Sequence, residues 1–245
     1  MFNLKGKVKG GPIEKVIGIL GGMGPESTID LFYKIIKSTP AGKDQDHLRI
    51  IIDNNPKIPD RTAAILGEGK DPLPALQETA RNLEKAGADF IIIPCNTAHY
   101  FLPSIQKSVK IPVLNMIKET AKETQKRIPQ IQKVGLLASM GTYKTKIYHQ
   151  QFKECNIEVI SPEEKREEEV MEAIYAVKAG DLSKEVKKSI LKIAQKLIDK
   201  GAEVIIAGCT EIPLILKEED IIVPLIDPTQ VLAKIAVQGV VLYKI

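Results

Sequence analysis

The stretch "KAGADFIIIPCNTA", residues 85–98, ends a helical pattern at Gly87, runs Phe90 to Ile93 as unbroken apolar residues, and halts at Pro94 to deliver Cys95. More than a hundred residues later "DKGAEVIIAGCTEI", 199–212, repeats the plan, with Cys209 standing 209 − 95 = 114 positions beyond Cys95. Two flanking pairs follow the same offset closely. "VIGILGGMG" (16–24) matches "KVGLLASMG" (133–141), with Gly135 − Gly18 = 117, and "IPVLNMIKETAK" (111–122) matches "VPLIDPTQVLAK" (223–234), with Pro224 − Pro112 = 112. Three correspondences in one order make the chain a duplication of a single α/β unit.

Within each half, apolar runs alternate with segments of helical spacing. "KVIGILGG" and "LRIIIDNN" read as buried strands. "PESTIDLFYKIIKST" reads as a helix with its apolar face at Ile29, Phe32, Ile35 and Ile36. "DPLPALQETARNLEKAG" carries Pro in its first turn and Gly87 at its end. Such alternation predicts a parallel sheet covered by helices on both faces. The expected fold is therefore α/β: two similar three-layer parallel-sheet domains related by a pseudo-twofold, with the active site in the cleft between them. Residues 1–12 are expected to form a flexible leader, 13–114 plus 226–245 the first domain, and 115–225 the second.

The 245 residues suffice for two such units, and 44% of them are hydrophobic. Lys and Arg number 35 against 31 Asp and Glu, a net charge of +4 spread along the chain. No basic block interleaves with aromatics and Trp is absent, so nucleic acid is a poor partner. No segment approaches the ~20 apolar residues of a membrane span. Three cysteines, an odd number in a long chain, argue for a reducing and hence cytoplasmic setting.

Ligands of open α/β folds bind at the carboxyl ends of the strands. Each matched cysteine occupies such an end, just before a helix. A free thiol titrates near about 8.5. A helix N-terminus favours an anion by about 0.3–1 kcal/mol, or ~2 when partly buried. At about 1.4 kcal/mol per pKa unit, that predicts a thiol lowered by roughly one unit. Two such groups facing one molecule suit inversion at a chiral carbon. One thiolate takes the proton, and the opposite thiol returns one from the other side. Cys155 lacks this context and reads as packing.

"GGMGP" (21–25), "NNPKIPDRT" (54–62), "PCNTAH" (94–99), "AGCTE" (207–211) and "PLIDP" (224–228) together resemble the aspartate/glutamate racemase family, closest to its aspartate racemase branch. The resemblance implies a PLP-independent, usually dimeric enzyme with no cofactor, in which Cys95 and Cys209 are the acid–base pair and an amino acid is the substrate. It implies that Arg61 grips the substrate carboxylate and that Asn96, Thr97 and Ala98 form the turn whose backbone amides and hydroxyl hold the substrate. Met23, Thr210 and Glu211 would line the remaining edges. Glu211 stands where glutamate racemases show His. Related aspartate racemases place a basic residue on the helix of "SPEEKREEEVMEAIY" (161–175). The matching position here is Glu168, which leaves Lys165 or Arg166, one turn earlier, to hold a side-chain carboxylate, or else a different amino acid as substrate.

Other chemistries stay open on the residues alone. A cysteine-nucleophile isomerase or hydrolase of a small dicarboxylate would need one thiol, and an amino-acid sensor would need neither. His99, four residues after Cys95, could pair with it as a base or join both cysteines in a zinc site. Packing beside the thiol is the plainer reading, and no metal is assigned. "GGMGPES" lacks the third glycine of a dinucleotide loop, Ser27 taking that place. Its glycines are expected to bring backbone N–H groups to a carboxylate.

Overall fold

A computed structural model describes residues 15–241. The expected leader lies outside them. The first half runs β1 (Ile17–Gly21), α1 (Pro25–Ser38), β2 (Ile50–Asn54), α2 (Arg61–Leu66), α3 (Leu73–Lys85), β3 (Phe90–Ile92) and α4 (Leu102–Gln106). Then come α5 (Met116–Arg127), β4 (Lys133–Ala138), α6 (Met140–Thr145), α7 (Ile147–Lys153), β5 (Glu158–Ile160), α8 (Glu164–Lys178) and α9 (Lys184–Asp199). β6 (Val204–Gly208), α10 (Ile212–Ile215), β7 (Leu225–Ile226) and α11 (Pro228–Val241) complete the chain.

The repeat is visible in the pairing. All strands are parallel, in the orders β2-β1-β3 and β5-β4-β6-β7. A single bridge between Ile91 and Val113 stands in the first sheet where β7 stands in the second. The Ile91 N–H donates to Pro112 O at 2.8 Å and the Ile205 N–H to Pro224 O at 3.0 Å, the same bond in each half. A carboxylate fastens each strand entrance as well. Asp89 Oδ2 accepts from the Val16 N–H at 2.7 Å, and Glu203 Oε1 from the Gln132 and Lys133 N–H groups at 2.9 Å.

Strand side chains alternate between faces, and here both faces are covered. Ile91 and Ile93 join the core under α3, while Phe90 and Ile92 join Leu31 and Ile35 of α1. In the second sheet Val204 and Ile206 face Tyr148 and Phe152 of α7, and Ile205 and Ala207 face α8 and α9. Two helices reach across. α5 leaves the first sheet and puts Ile117 and Ala121 into the core with α7, while α11 leaves β7 and puts Leu232, Ala236 and Val240 against β1. Their N-caps are repeat equivalents: Asn115 Oδ1 accepts the Lys118 N–H at 3.1 Å and Asp227 Oδ1 the Thr229 N–H at 2.9 Å. Among the described residues no helix is long and apolar enough to cross a membrane.

Two local expectations need correction. The buried face of α1 is Ser27, Thr28, Leu31 and Ile35, whereas Ile29 and Phe32 are 66% and 37% exposed. Thr28 sets that roll, because its Oγ1 accepts the Gly22 N–H at 2.9 Å and turns this side of the helix to the strand exit. β2 is an edge strand with Ile52 exposed, not a fully buried one.

Gly22 also shows why the loop after β1 is glycine. Its φ is +96°, and a Cβ there would lie 2.3 Å from the Asn55 carbonyl carbon. Left-handed strain and a backbone clash add, so Gly22→Ala is expected to lower unfolding free energy by roughly 2–6 kcal/mol. The control is Gly239→Ala in α11, where nothing lies within 4 Å of the added carbon and the change should be neutral or stabilising by up to about 1 kcal/mol. Denaturant midpoints of the two variants check this.

Candidate active site

Both strand exits open on one cavity between the halves. The first half contributes Met23, Asp60, Arg61, Thr62, Cys95, Asn96 and Thr97, and the second Ser139, Met171, Lys178, Cys209, Thr210 and Glu211. The enclosed space is about 20 Å³, room for roughly one water molecule. Larger clefts of about 470 and 230 Å³ lie elsewhere, but neither is lined by a cysteine. Chemistry rather than size therefore marks the small one.

Hydroxyl bridges hold the two sides together. Ser27 Oγ–H donates to Thr210 Oγ1 at 2.7 Å. Thr97 Oγ1 lies 2.8 Å from Ser139 Oγ and 3.1 Å from Thr142 Oγ1. Tyr148 of α7 donates its hydroxyl to Asn96 Oδ1 at 2.6 Å. Gly141 lets α6 come close to α2, since a Cβ there would stand 2.9 Å from Thr62 Oγ1.

The two thiols differ in their surroundings. Cys95 is buried and Cys209 half-buried. Cys209 Sγ–H donates to Glu211 Oε2 at 2.9 Å, and the Thr210 hydroxyl donates to the same oxygen at 3.0 Å. Burial first, then the negative charge of Glu211 and its bond to the thiol, push Cys209 well above the usual thiol range, with Lys178 pulling the other way. This reverses the lowering expected from a helix N-terminus. α10 is only four residues long, so its weak dipole loses to desolvation and an adjacent carboxylate.

Arg61 is the first residue of α2, buried to 9% exposure behind the N-cap Asp60, whose Oδ1 accepts the Ala63 N–H at 2.8 Å. Its Nη1 donates to Pro59 O at 3.1 Å, while its buried Nε has no hydrogen-bond partner. An unmatched donor in a dry site costs about 1–3 kcal/mol, and an anionic ligand would satisfy it.

His99 is a structural tie. Its Nε2 accepts the Met116 N–H at 3.1 Å, so the proton is on Nδ1, which donates to the Cys95 carbonyl at 2.8 Å. Burial holds its pKa at about 4. With both nitrogens engaged it is neither base nor metal ligand, and among the described residues no His, Cys, Asp and Glu cluster could hold a metal. The Gly22 N–H, expected to face a ligand, is spent on Thr28.

Of the other expected residues, Met23, Asn96, Thr97, Thr210 and Glu211 line the cavity. Ala98, expected to act through its backbone amide, has its side chain fully buried in the first half's core. Lys165 is exposed on the first turn of α8, outside the lining, as is Glu168. The cavity's second cation, besides Arg61, is Lys178, at the other end of the same helix. Although the residue is exposed, burial still lowers its pKa, and the attraction of Cys209, Glu211 and Cys95 outweighs that and raises it. Lys178 stands seven residues, two helical turns, after Met171, which also lines the cavity. That spacing, and the match of Ser139 to Gly22 in the repeat (139 − 22 = 117), are signals by which both could have been found.

A sequence model of the family described as Asp/Glu/Hydantoin racemase matches residues 20–236. A broad-specificity amino-acid racemase of Bacillus subtilis is 31% identical over 236 residues, covering 94% of this chain and all of that protein. The structure of Picrophilus torridus aspartate racemase superposes with a TM-score of 0.79 at 30% identity, covering 94% of this chain and 100% of that one. That of an aspartate racemase homologue from Pyrococcus horikoshii gives 0.75 at 28%, with coverage of 94% and 100%.

Proposed function

The chain belongs to the Asp/Glu/hydantoin racemase family, and we propose that within it the chain interconverts L- and D-aspartate by proton transfer between two thiols, without a cofactor. The observation that carries this reading is one cavity receiving both duplicated cysteines together with two cationic side chains.

The unmatched Nε of Arg61 takes the α-carboxylate, with the Asn96–Thr97 turn beside it. Lys178 takes the side-chain carboxylate, the role expected at first of Lys165. One thiolate removes the α-proton, and the electron pair left on the carbon spreads into the α-carboxylate held by Arg61. The thiol on the opposite face then donates its proton to that carbon, giving the mirror image and exchanged thiol states. Cations held beside the reacting carbon stabilise the developing charge better than mobile water does. The resemblance also implies a homodimer.

Racemisation of each of the nineteen chiral protein amino acids, measured by chiral chromatography without added cofactor, tests the assignment, and aspartate is expected to be fastest. The second reading, a racemase of other amino acids, is favoured by the broad specificity named for the Bacillus subtilis relative, and faster turnover of a neutral amino acid would establish it. Lys178→Gln separates the two. Loss of a charged hydrogen bond worth about 1.5–3 kcal/mol should cost aspartate roughly 10–100-fold in kcat/KM, and a neutral amino acid much less.

A further inference from the structure

We propose that Glu211 is a positioning residue that keeps Cys209 protonated in the resting enzyme, so that Cys209 starts the cycle as the proton donor. This rests on the reading of Cys209 as one of the two transfer groups.

Duplication made the cysteines equivalent, but the residues two positions beyond them are not. Thr97 and Glu211 share the offset of the thiols, 211 − 97 = 114. The Thr97 hydroxyl turns to Ser139 and Thr142. The Glu211 carboxylate, only 7% exposed, turns back and takes the Cys209 S–H and the Thr210 O–H on a single oxygen. Both partners are donors, so the carboxylate acts purely as an acceptor. Deprotonating Cys209 would remove one of those donors and leave two anions 2.9 Å apart in a site nearly closed to water.

The remaining charges near this sulfur do not cancel that preference. Lys178 approaches from α8 and Arg61 from α2, both favouring a thiolate, and Asp60 beside Arg61 opposes it. Cys95 faces it from the β3 exit. Tyr143 of α6 and Tyr148 of α7 are the other titratable groups within reach, and burial keeps both hydroxyls protonated well above their usual range. The upward displacement of the Cys209 thiol agrees with the geometry. In turnover the Cys209 proton goes to the substrate carbon and the substrate's α-proton goes to the opposite sulfur. The Cys209 thiolate so formed is the less stable of the two exchanged states, with Lys178 its nearest compensation.

The test needs no turnover, so it stands apart from the substrate assignment. Full-length wild type and Glu211→Gln are alkylated with iodoacetamide across pH 6–11, and modification of Cys95, Cys155 and Cys209 is quantified separately by peptide mass spectrometry. The wild-type Cys209 midpoint is expected above the ordinary thiol value of about 8.5. In Glu211→Gln, which keeps the shape and offers an N–H to a thiolate, the midpoint should fall by at least one pH unit, with Cys155 unmoved. An unchanged Cys209 midpoint, or an equal shift at all three cysteines, overturns the proposal. If the variant does not fold, the wild type alone decides: a Cys209 midpoint at or below the ordinary value also overturns it.

Discussion

Cys95→Ser and Cys209→Ser are each expected to slow racemisation by about 10²–10⁴-fold, the contribution of a positioned acid–base group. Serine preserves size, but its hydroxyl is too weak an acid to alternate between donor and acceptor at neutral pH. Each turnover needs one sulfur to accept while the other donates, so either loss breaks the same step. The double variant should therefore lose little beyond the worse single one, as residues acting as a unit do. Cys155→Ser is the control. That thiol packs against the second half's core and does not line the cavity, and its variant should retain full activity. Chiral chromatography of aspartate, with circular dichroism to confirm folding, reads all four proteins.

Arg61→Ala should lower kcat/KM for aspartate by roughly 10²–10⁴-fold, the loss of a charged, near-bidentate clamp worth about 1.5–3 kcal/mol per bond. Arg61→Lys should recover little. The guanidinium spends Nη1 on the Pro59 carbonyl and keeps Nε for a ligand, and a single ammonium cannot do both. Most of the loss is expected in KM if the α-carboxylate is gripped equally throughout, and in kcat if the grip tightens as the carbanion forms. Steady-state kinetics in both directions measure the split.

The duplication was legible because it is written in residues with strong local meaning. Glycines stand where strands and helices meet closely, a proline precedes the matched bridge or strand of each half (Pro112 and Pro224), and a cysteine ends one buried strand in each half. Those rules are short-range, and they predicted Cys95 and Cys209 on one cleft, whereas Arg61 was assigned through the family resemblance. What stayed hidden depends on long-range contacts. The face of α1 was misread because Thr28 bonds the Gly22 N–H, which outweighs the apolar count. The cation was sought at the start of α8, but the fold brings the end of that helix, Lys178, to the cavity. The Cys209 thiol was expected to be acidified by the next helix. Whether Glu211 points outward or back at the sulfur is not in the spacing, and its backward turn changes the sign. Likewise nothing in the sequence near His99 shows that the N-terminus of α5 will occupy its Nε2.

The central claim, two groups on opposite faces of one carbon, is tested most directly by running the wild-type enzyme on L-aspartate in D₂O and sampling early. The account predicts that newly formed D-aspartate carries one α-deuterium while the remaining L-aspartate carries none, because the incoming proton comes from a solvent-equilibrated thiol on the far side. D-aspartate that keeps the original protium would mean that a single group serves both faces, and would contradict it.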